Sequence, residues 1–362
     1  MAGAPAAVDL ALQGGGSHGA FTWGVLDALL EDGRLGFDGV SGTSAGAMNA
    51  AVLATGLARG GPGEARRALA AFWAEVGGTP ACFADMASSG AAAAPAPPAW
   101  PAWMFNAGNW PGMAALGAWA RLFSPAQLNP FNLNPLRDIL QRHVDPALVR
   151  QGAVKLFITA TAVKTGQSRV FTNDDLSIDA LLASACLPQL FQAVEIDGEP
   201  YWDGGYSGNP ALWPLIYGTA ADDLLLVQIN PLQRDQVPRT AMEIADRVNE
   251  ITFNASLVSE MRAIAFVQRL VREERVERSH YKDLRLHRIA DEAGLAAYGA
   301  SSKLNSDPRL LQALFALGRQ AAQDWLVSHH ADVGRRGTVD VGDVFLAPRG
   351  DPTPQAPIGP PD

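Results

Sequence analysis

Cysteine is nearly absent from this 362-residue chain. Its two copies, Cys82 and Cys186, cannot build a disulfide framework, and no C-x-x-C pair or Cys/His ligand spacing occurs. A cystine scaffold and a zinc module are therefore excluded, and neither a metal nor an organic cofactor is expected. Positive charge is scarce as well: 28 Lys and Arg against 37 Asp and Glu leave a net charge of −9. A nucleic-acid partner would need a basic footprint and is not expected. No run of about 18 apolar residues exists to span a bilayer. Met1 to Leu12 has neither a basic n-region nor a long apolar core, so no signal peptide is read and a cytoplasmic protein is the default. The acidic balance leaves open a lipid surface reached through apolar contact. The chain does have core material: 48% of residues are hydrophobic and 18% charged. That suffices for one large α/β domain or two ordinary ones.

The chain is organised around Ser41-Gly42-Thr43-Ser44-Ala45-Gly46-Ala47. Gly42-x-Ser44-x-Gly46 is the pattern of a nucleophile elbow, in which a strand turns sharply into a helix with the serine hydroxyl at the apex. Asp38-Gly39-Val40 can end the strand, and Ala45 to Ala54 reads as a tightly packed helix start. Upstream, Val8 to Leu12 reads as a strand and Ala20 to Glu31 as a helix with Phe21, Val25, Leu26, Leu29 and Leu30 at helical spacing. Between them lies Gln13-Gly14-Gly15-Gly16-Ser17-His18-Gly19. A strand, a glycine loop and a helix place a row of backbone N–H groups at a helix N-terminus, where an anion or oxyanion binds. Gly14-x-Gly16-x-x-Gly19 also has the spacing of a dinucleotide loop, and Asp38 lies near the distance of its ribose acid. That acid belongs at the end of the second strand, and here the second strand ends in the elbow. An acyl-transfer site with an oxyanion hole is the more economical reading; a nucleotide-binding module is the alternative from another class.

Residues 56–76 read as a helix burying Ala65, Leu69, Phe72 and Trp73. Residues 80–135 change character, with an Ala/Pro tract and then Trp100, Trp103, Phe105, Trp110, Trp119 and Phe123 among prolines and glycines. They read as an irregular excursion packed on the core, or as a lid or acyl-chain groove. A helix is expected over 135–144, a buried strand over 154–163 with a partner at 168–172, and a small-residue helix over 178–185. A hairpin about Asp197-Gly198 delivers Asp203-Gly204-Gly205, which is a turn or a carboxylate held in a fixed pose. Leu224 to Val227 reads as a strand. Residues 240–278 read as a long helical region in which Ile244, Val248, Ile251, Ala255 and Val258 form the buried face. A last strand is expected over 284–289, a last helix over 308–327, and a disordered tail over 347–362. His143, His280, His287, His329 and His330 have no accompanying motif and read as structural or exposed.

Three signals stand together in order: Gly14 to Gly19, Gly42-x-Ser44-x-Gly46, and Asp203-Gly204-Gly205, preceded by Ser184-Ala185-Cys186-Leu187-Pro188. The set resembles the patatin-like phospholipase family over residues 8–216. The resemblance implies a three-layer α/β/α sandwich with a mainly parallel central sheet, the helical part over 217–346 packing on the same domain. It implies hydrolysis of lipid carboxylic esters by a Ser–Asp dyad without histidine, with a carboxylesterase or storage-polyester depolymerase as the alternative within the class. Ser44 would be the nucleophile and Asp203 its general base. Gly14, Gly15, Gly16, Ser17, His18 and Gly19 would form the oxyanion hole, with Gly42, Gly46, Gly204 and Gly205 as motif glycines. The expected partner is a lipid or other acyl ester. Where many bacterial members carry arginine this chain has His18; a neutral imidazole suits a phosphate less than a guanidinium does, which leaves room for other esters.

Overall fold

In the computed structural model, residues 5–78, 125–129, 131–234, 236–276 and 281–346 are described. Strand alternation sets the architecture. Strand β1 (Ala6–Leu12) sends Val8, Leu10 and Leu12 into one apolar cluster and Ala11 into another. Period-two alternation puts successive side chains on opposite faces, so each cluster lies on its own side of the sheet. Strand β2 is Leu35–Thr43, β3 Lys155–Ala162, β4 Ser168–Phe171, β5 Val194–Ile196, β6 Glu199–Asp203, β7 Asp223–Val227 and β8 Arg285–Ile289. The strand order is β5-β6-β3-β2-β1-β7-β8, with β4 also paired to β3. The pairs from β3 through β2, β1 and β7 to β8 are parallel; those of β3 with β4 and β6, and of β5 with β6, are antiparallel. Strands buried on both faces read as near-continuous apolar runs, as Leu224-Leu225-Leu226-Val227 does.

Helices α1 (Gly19–Asp32), α2 (Ala45–Val76), α3 (Pro135–His143), α4 (Ile178–Ser184) and α7 (Pro308–His329) contribute to the first cluster. Helices α5 (Trp213–Gly218) and α6 (Ala241–Arg272) cover the other face, with Leu215, Leu257 and Met261 against Leu224, Leu226 and Leu286. The result is a three-layer α/β/α sandwich with a mainly parallel sheet. Ala65, Leu69, Phe72 and Trp73 are buried as their spacing predicts. A break at Gly60 and Gly61, where Gly61 has φ 75° ahead of Pro62, divides the span of α2 into the helix after the elbow and the one that carries these four residues.

One helical face differs from its expectation. Ile244, Val248 and Ile251 are about half exposed, and Ala255 is exposed too. The buried side of α6 carries Phe253, Leu257, Met261 and Ile264, and with them Glu250 and Asn254. The polar pair is fully engaged inside. Glu250 takes Arg234 at 2.6 Å and Arg247 at 3.1 Å, and Asn254 accepts from Gln13 Nε2 at 3.2 Å and donates to the Pro231 carbonyl at 3.0 Å. An apolar count could not see a helix turned inward by polar residues. Of the predicted excursion, residues 79–124 and 130 lie outside the described residues, as does the tail from 347.

Helices α1 and α7 cross backbone to backbone. A Cβ on Gly24 would collide with the Phe315 carbonyl oxygen, and one on Gly318 with that of Phe21. Arg319 adds ion pairs to Asp27 and Glu31 of α1 beside the crossing. Gly318→Val therefore has to push the helices apart, and overpacking of this kind costs about 1–3 kcal/mol. Urea unfolding is expected to show a lowered midpoint at unchanged slope; an unchanged midpoint would show that the helices do not meet there.

Candidate active site

The parallel strands end on one edge, and the candidate residues gather there. Thr43 closes β2, and Ser44 follows at φ 54° and ψ −122° before α2 begins. A non-glycine residue in such a conformation costs about 1–3 kcal/mol and persists only where its surroundings dictate it. They do so here. A Cβ on Gly42 would stand 2.5 Å from the Gly46 carbonyl oxygen, and one on Gly46 would collide with that of Leu12. Only bare backbone lets the turn close on itself and on β1. Ser44 is buried, with its own N–H donated to Ser184 Oγ at 2.9 Å.

The glycine loop lies directly against this turn: a Cβ on Gly14 would be 2.6 Å from the Thr43 carbonyl oxygen and 2.7 Å from Ser44 Cβ. The Gly14 peptide is held from both ends. Its N–H donates to Asn209 Oδ1 at 2.6 Å, and its carbonyl accepts from Asn230 Nδ2 at 2.8 Å. Gln13 anchors the residue before it, its Oε1 accepting from the backbone N–H of Ile229 at 3.0 Å and of Asn230 at 2.9 Å. The six expected oxyanion donors are therefore not equivalent. Gly14 N–H is taken by Asn209, His18 N–H by the Gly15 carbonyl, and Gly19 N–H by the carbonyls of Gly16 and Ser17. Among the described residues, the N–H groups of Gly15, Gly16 and Ser17 meet no acceptor.

His18 is buried, and its ring is engaged by Ser302. Its Nε2 lies 2.7 Å from Ser302 Oγ, and that hydroxyl donates its single hydrogen to the Gly299 carbonyl at 2.7 Å. The imidazole must therefore donate through Nε2, leaving Nδ1 as a bare acceptor with no partner. Burial, with Lys303 and Arg234 adding to it, pushes the His18 pKa down to about 3, so the ring is neutral. His143 and His287 are engaged elsewhere, on Glu75 and on Asp223 with Thr338; His280 lies outside the described residues.

Asp203 ends β6. Strand β3 stands between it and the elbow, pairing Thr159 with Thr43 and Ala160 with Asp203. The carboxyl is fully buried. Oδ1 accepts from Gly205 N–H at 2.7 Å, while Oδ2 has no hydrogen-bond partner. Burial raises its pKa from 3.8 to about 7, against the lowering influence of Gly205 N–H, the Ser44 hydroxyl and the Lys303 charge. The serine and the acid thus adjoin without a completed hydrogen bond, and such contacts commonly tighten only when substrate is bound. Backbone braces fix the pose: Asp203 N–H donates to the Cys186 carbonyl at 2.8 Å, and Thr161 Oγ1 donates to the Asp203 carbonyl at 2.8 Å. Gly205 leaves room for the ring of Phe253, which a Cβ there would strike, and Gly204 likewise approaches the Thr159 carbonyl. The segment Ser184 to Cys186 braces both reacting candidates at once, Ser184 the serine and Cys186 the acid.

A family model described as patatin-like phospholipase matches residues 10–216. The chain belongs to the patatin-like phospholipase family. Among solved structures, the crystal structure of VipD from Legionella pneumophila is similar, at 16% identity with a TM-score of 0.38, over 94% of this chain and 73% of that one. No curated protein matches the sequence. Membership in the patatin-like phospholipases carries the broad activity, hydrolysis of ester bonds in lipids. Among the described residues no helix is long and apolar enough to cross a membrane, and no cluster of three or more His, Cys, Asp or Glu could hold a metal ion. The competing nucleotide reading finds no support in Asp38. It lies on β2 five residues before Thr43, its carboxylate bound to the N–H groups of Ala220 and Ala221.

Sequence reasoning missed the polar braces. Asn209 follows the Asp203-Gly204-Gly205 turn closely enough to have been suspected; Asn230 follows an apolar strand, and Ser302 and Lys303 carry no motif. Gly14→Ala is expected to lower kcat at least tenfold, because its methyl must displace the Thr43 carbonyl or Ser44 itself. Steady-state hydrolysis of a p-nitrophenyl ester checks this, and undiminished activity would mean the loop does not touch the serine. Asp203→Asn carries a second expectation. A carboxyl whose pKa is about 7 folded and near 3.8 unfolded destabilises the fold increasingly as pH rises from about 4 to 7. The Asn variant is expected to melt above wild type at pH 8, the gap closing toward pH 4; calorimetry at the two pH values decides it.

Proposed function

We propose that this chain is a serine acyl hydrolase acting on lipid carboxylic esters, with Ser44 as nucleophile and Asp203 as its general base. The observation that carries the reading is the strained, buried Ser44 beside a buried carboxyl whose Oδ2 lacks a partner. In the first half-reaction Ser44 Oγ attacks the ester carbonyl while its proton passes to Asp203. The oxyanion that forms is met by the free N–H groups at Gly15, Gly16 and Ser17, with the positive end of α2 behind the serine. Asp203 returns the proton to the departing alcohol, and the acyl group stays on Ser44. In the second half-reaction water attacks the acyl-enzyme, Asp203 takes its proton, and Ser44 leaves with that proton restored. Reaction near neutral pH requires a base of matching pKa, and burial brings the aspartate there without histidine.

Two measurements test the proposal. Ser44→Ala and Asp203→Asn, each checked for folding by circular dichroism, are expected to lose about a thousandfold or more in kcat on short and long p-nitrophenyl esters. Activity surviving in folded Ser44→Ala would sink the mechanism. The ratio of long-chain to short-chain rates separates a lipid hydrolase from a carboxylesterase. For the wild type, kcat/KM is expected to climb about tenfold per pH unit below the Asp203 pKa and level off above about 7. A profile already flat from pH 5 would remove Asp203 from the role of base.

A further inference from the structure

A short turn far along the chain reaches the glycine loop at two points and its brace Asn230 at a third. It runs over Ala300–Leu304, outside the residues that the family model matches. Ser302 Oγ holds His18 Nε2. The Lys303 carbonyl presses on Gly16, where any Cβ would strike it. Lys303 Nζ donates to Asn230 Oδ1 at 2.8 Å and to Asn249 Oδ1 at 3.2 Å, and it stands 5.6 Å from the ring centre of Phe253. The contact with Asn230 has a directional consequence. A primary amide offers one oxygen and one NH2 group, and a cation on the oxygen fixes which end faces where. With Oδ1 committed to the ammonium, Asn230 can only present Nδ2 to the Gly14 carbonyl, as it does.

We propose that Lys303 is a positioning residue of the acyl-transfer site, orienting Asn230 so that the Gly14 peptide is held against Ser44. The proposal rests on the assignment of Ser44 and Asp203 above. The charged and titratable groups around the ammonium are Glu250 and Asp246 on α6, Asp203 on β6, Arg234 before α6, and neutral His18. Burial draws the Lys303 pKa down to about 8, with Glu250, Asp246 and Asp203 opposing, so the cation persists at pH 7.

The test uses the full chain carrying Lys303→Met, Lys303→Gln, Lys303→Arg or Asn230→Ala, each checked by thermal melting and assayed on a short p-nitrophenyl ester from pH 5 to 9. Lys303→Met is expected to lower kcat about tenfold with little change in KM. Lys303→Gln is one atom shorter and falls short of Asn230, so it serves if the Met variant does not fold. Lys303→Arg keeps a cation for Asn230 Oδ1 and is expected to return kcat toward wild type. Asn230→Ala is expected to lower kcat to about the level of Lys303→Met. Wild-type kcat in folded Lys303→Met or Lys303→Gln would overturn the proposal. So would a fall in kcat with no rescue by Arg, which would mark the lysine as packing only. Full activity in Asp203→Asn would instead overturn the assignment of the base.

Discussion

The site depends on one peptide, that of Gly14, being fixed against the elbow. Glycine loses more backbone freedom on ordering than any other residue, and a run of three is the least ordered segment a chain can offer. Fixing a residue costs about 1–2 kcal/mol, whereas a single buried hydrogen bond returns about 0.5–1.5. One bond cannot hold such a loop. The fold supplies several to adjoining residues: Asn209 on the N–H, Asn230 on the carbonyl, and the Ile229 and Asn230 N–H groups on Gln13. An oxyanion hole works because its donors are already aimed before charge develops. On the proposed reading, the order imposed on Gly14 is what keeps the following N–H groups in place as oxyanion donors.

Under the proposed mechanism the same region meets a second requirement, base chemistry near neutral pH with a carboxylate. An exposed aspartate ionises near pH 4 and is a poor proton acceptor for a hydroxyl. Full burial lifts Asp203 to about 7, a change of about 4 kcal/mol in the balance between its two forms. Burial alone would lift it further. Gly205 N–H, the Ser44 hydroxyl and the Lys303 charge oppose it, so the set point is a balance of opposing effects. Histidine is available in the sequence but not to this purpose. His18 spends its one N–H on Ser302 and is too buried to take a proton.

Much of this was legible in the residues. Strand runs such as Lys155 to Ala162 and the strand–loop–helix order about Gly14 to Gly19 were readable directly, and the sandwich they build was implied by the family resemblance. Ser44 and Asp203 were marked because special backbone needs glycine, and glycine pairs leave a pattern in sequence. The braces were not legible, for an equally physical reason. Asn209, Asn230 and Lys303 act through side-chain reach across 195, 216 and 73 residues. Contacts of that kind leave no local periodicity. Nor could the spacing tell which loop N–H groups would be consumed within the loop's own turn, as those of His18 and Gly19 are.

The misread face of α6 belongs to the same account. Apolar spacing selected Ile244, Val248 and Ile251, yet the helix turns Glu250, Phe253 and Asn254 inward. A helix placed only to fill a core would bury its best apolar stripe. This one instead carries side chains to the candidate site. Phe253 packs under Gly205, Asn254 meets Gln13, and Asn249 shares the Lys303 ammonium with Asn230. Glu250 is neutralised by Arg234 and Arg247, which makes burial of so many polar atoms tolerable. Local rules fail where function has set the orientation, and the size of this failure locates the boundary of the site. It extends past the matched residues to α6 and to the turn carrying Lys303. A unit cut at residue 216 would retain Ser44, Asp203 and the 3.4 Å contact from Asn209 Nδ2 to the Gly14 carbonyl, but it would lose the shorter one from Asn230, at 2.8 Å.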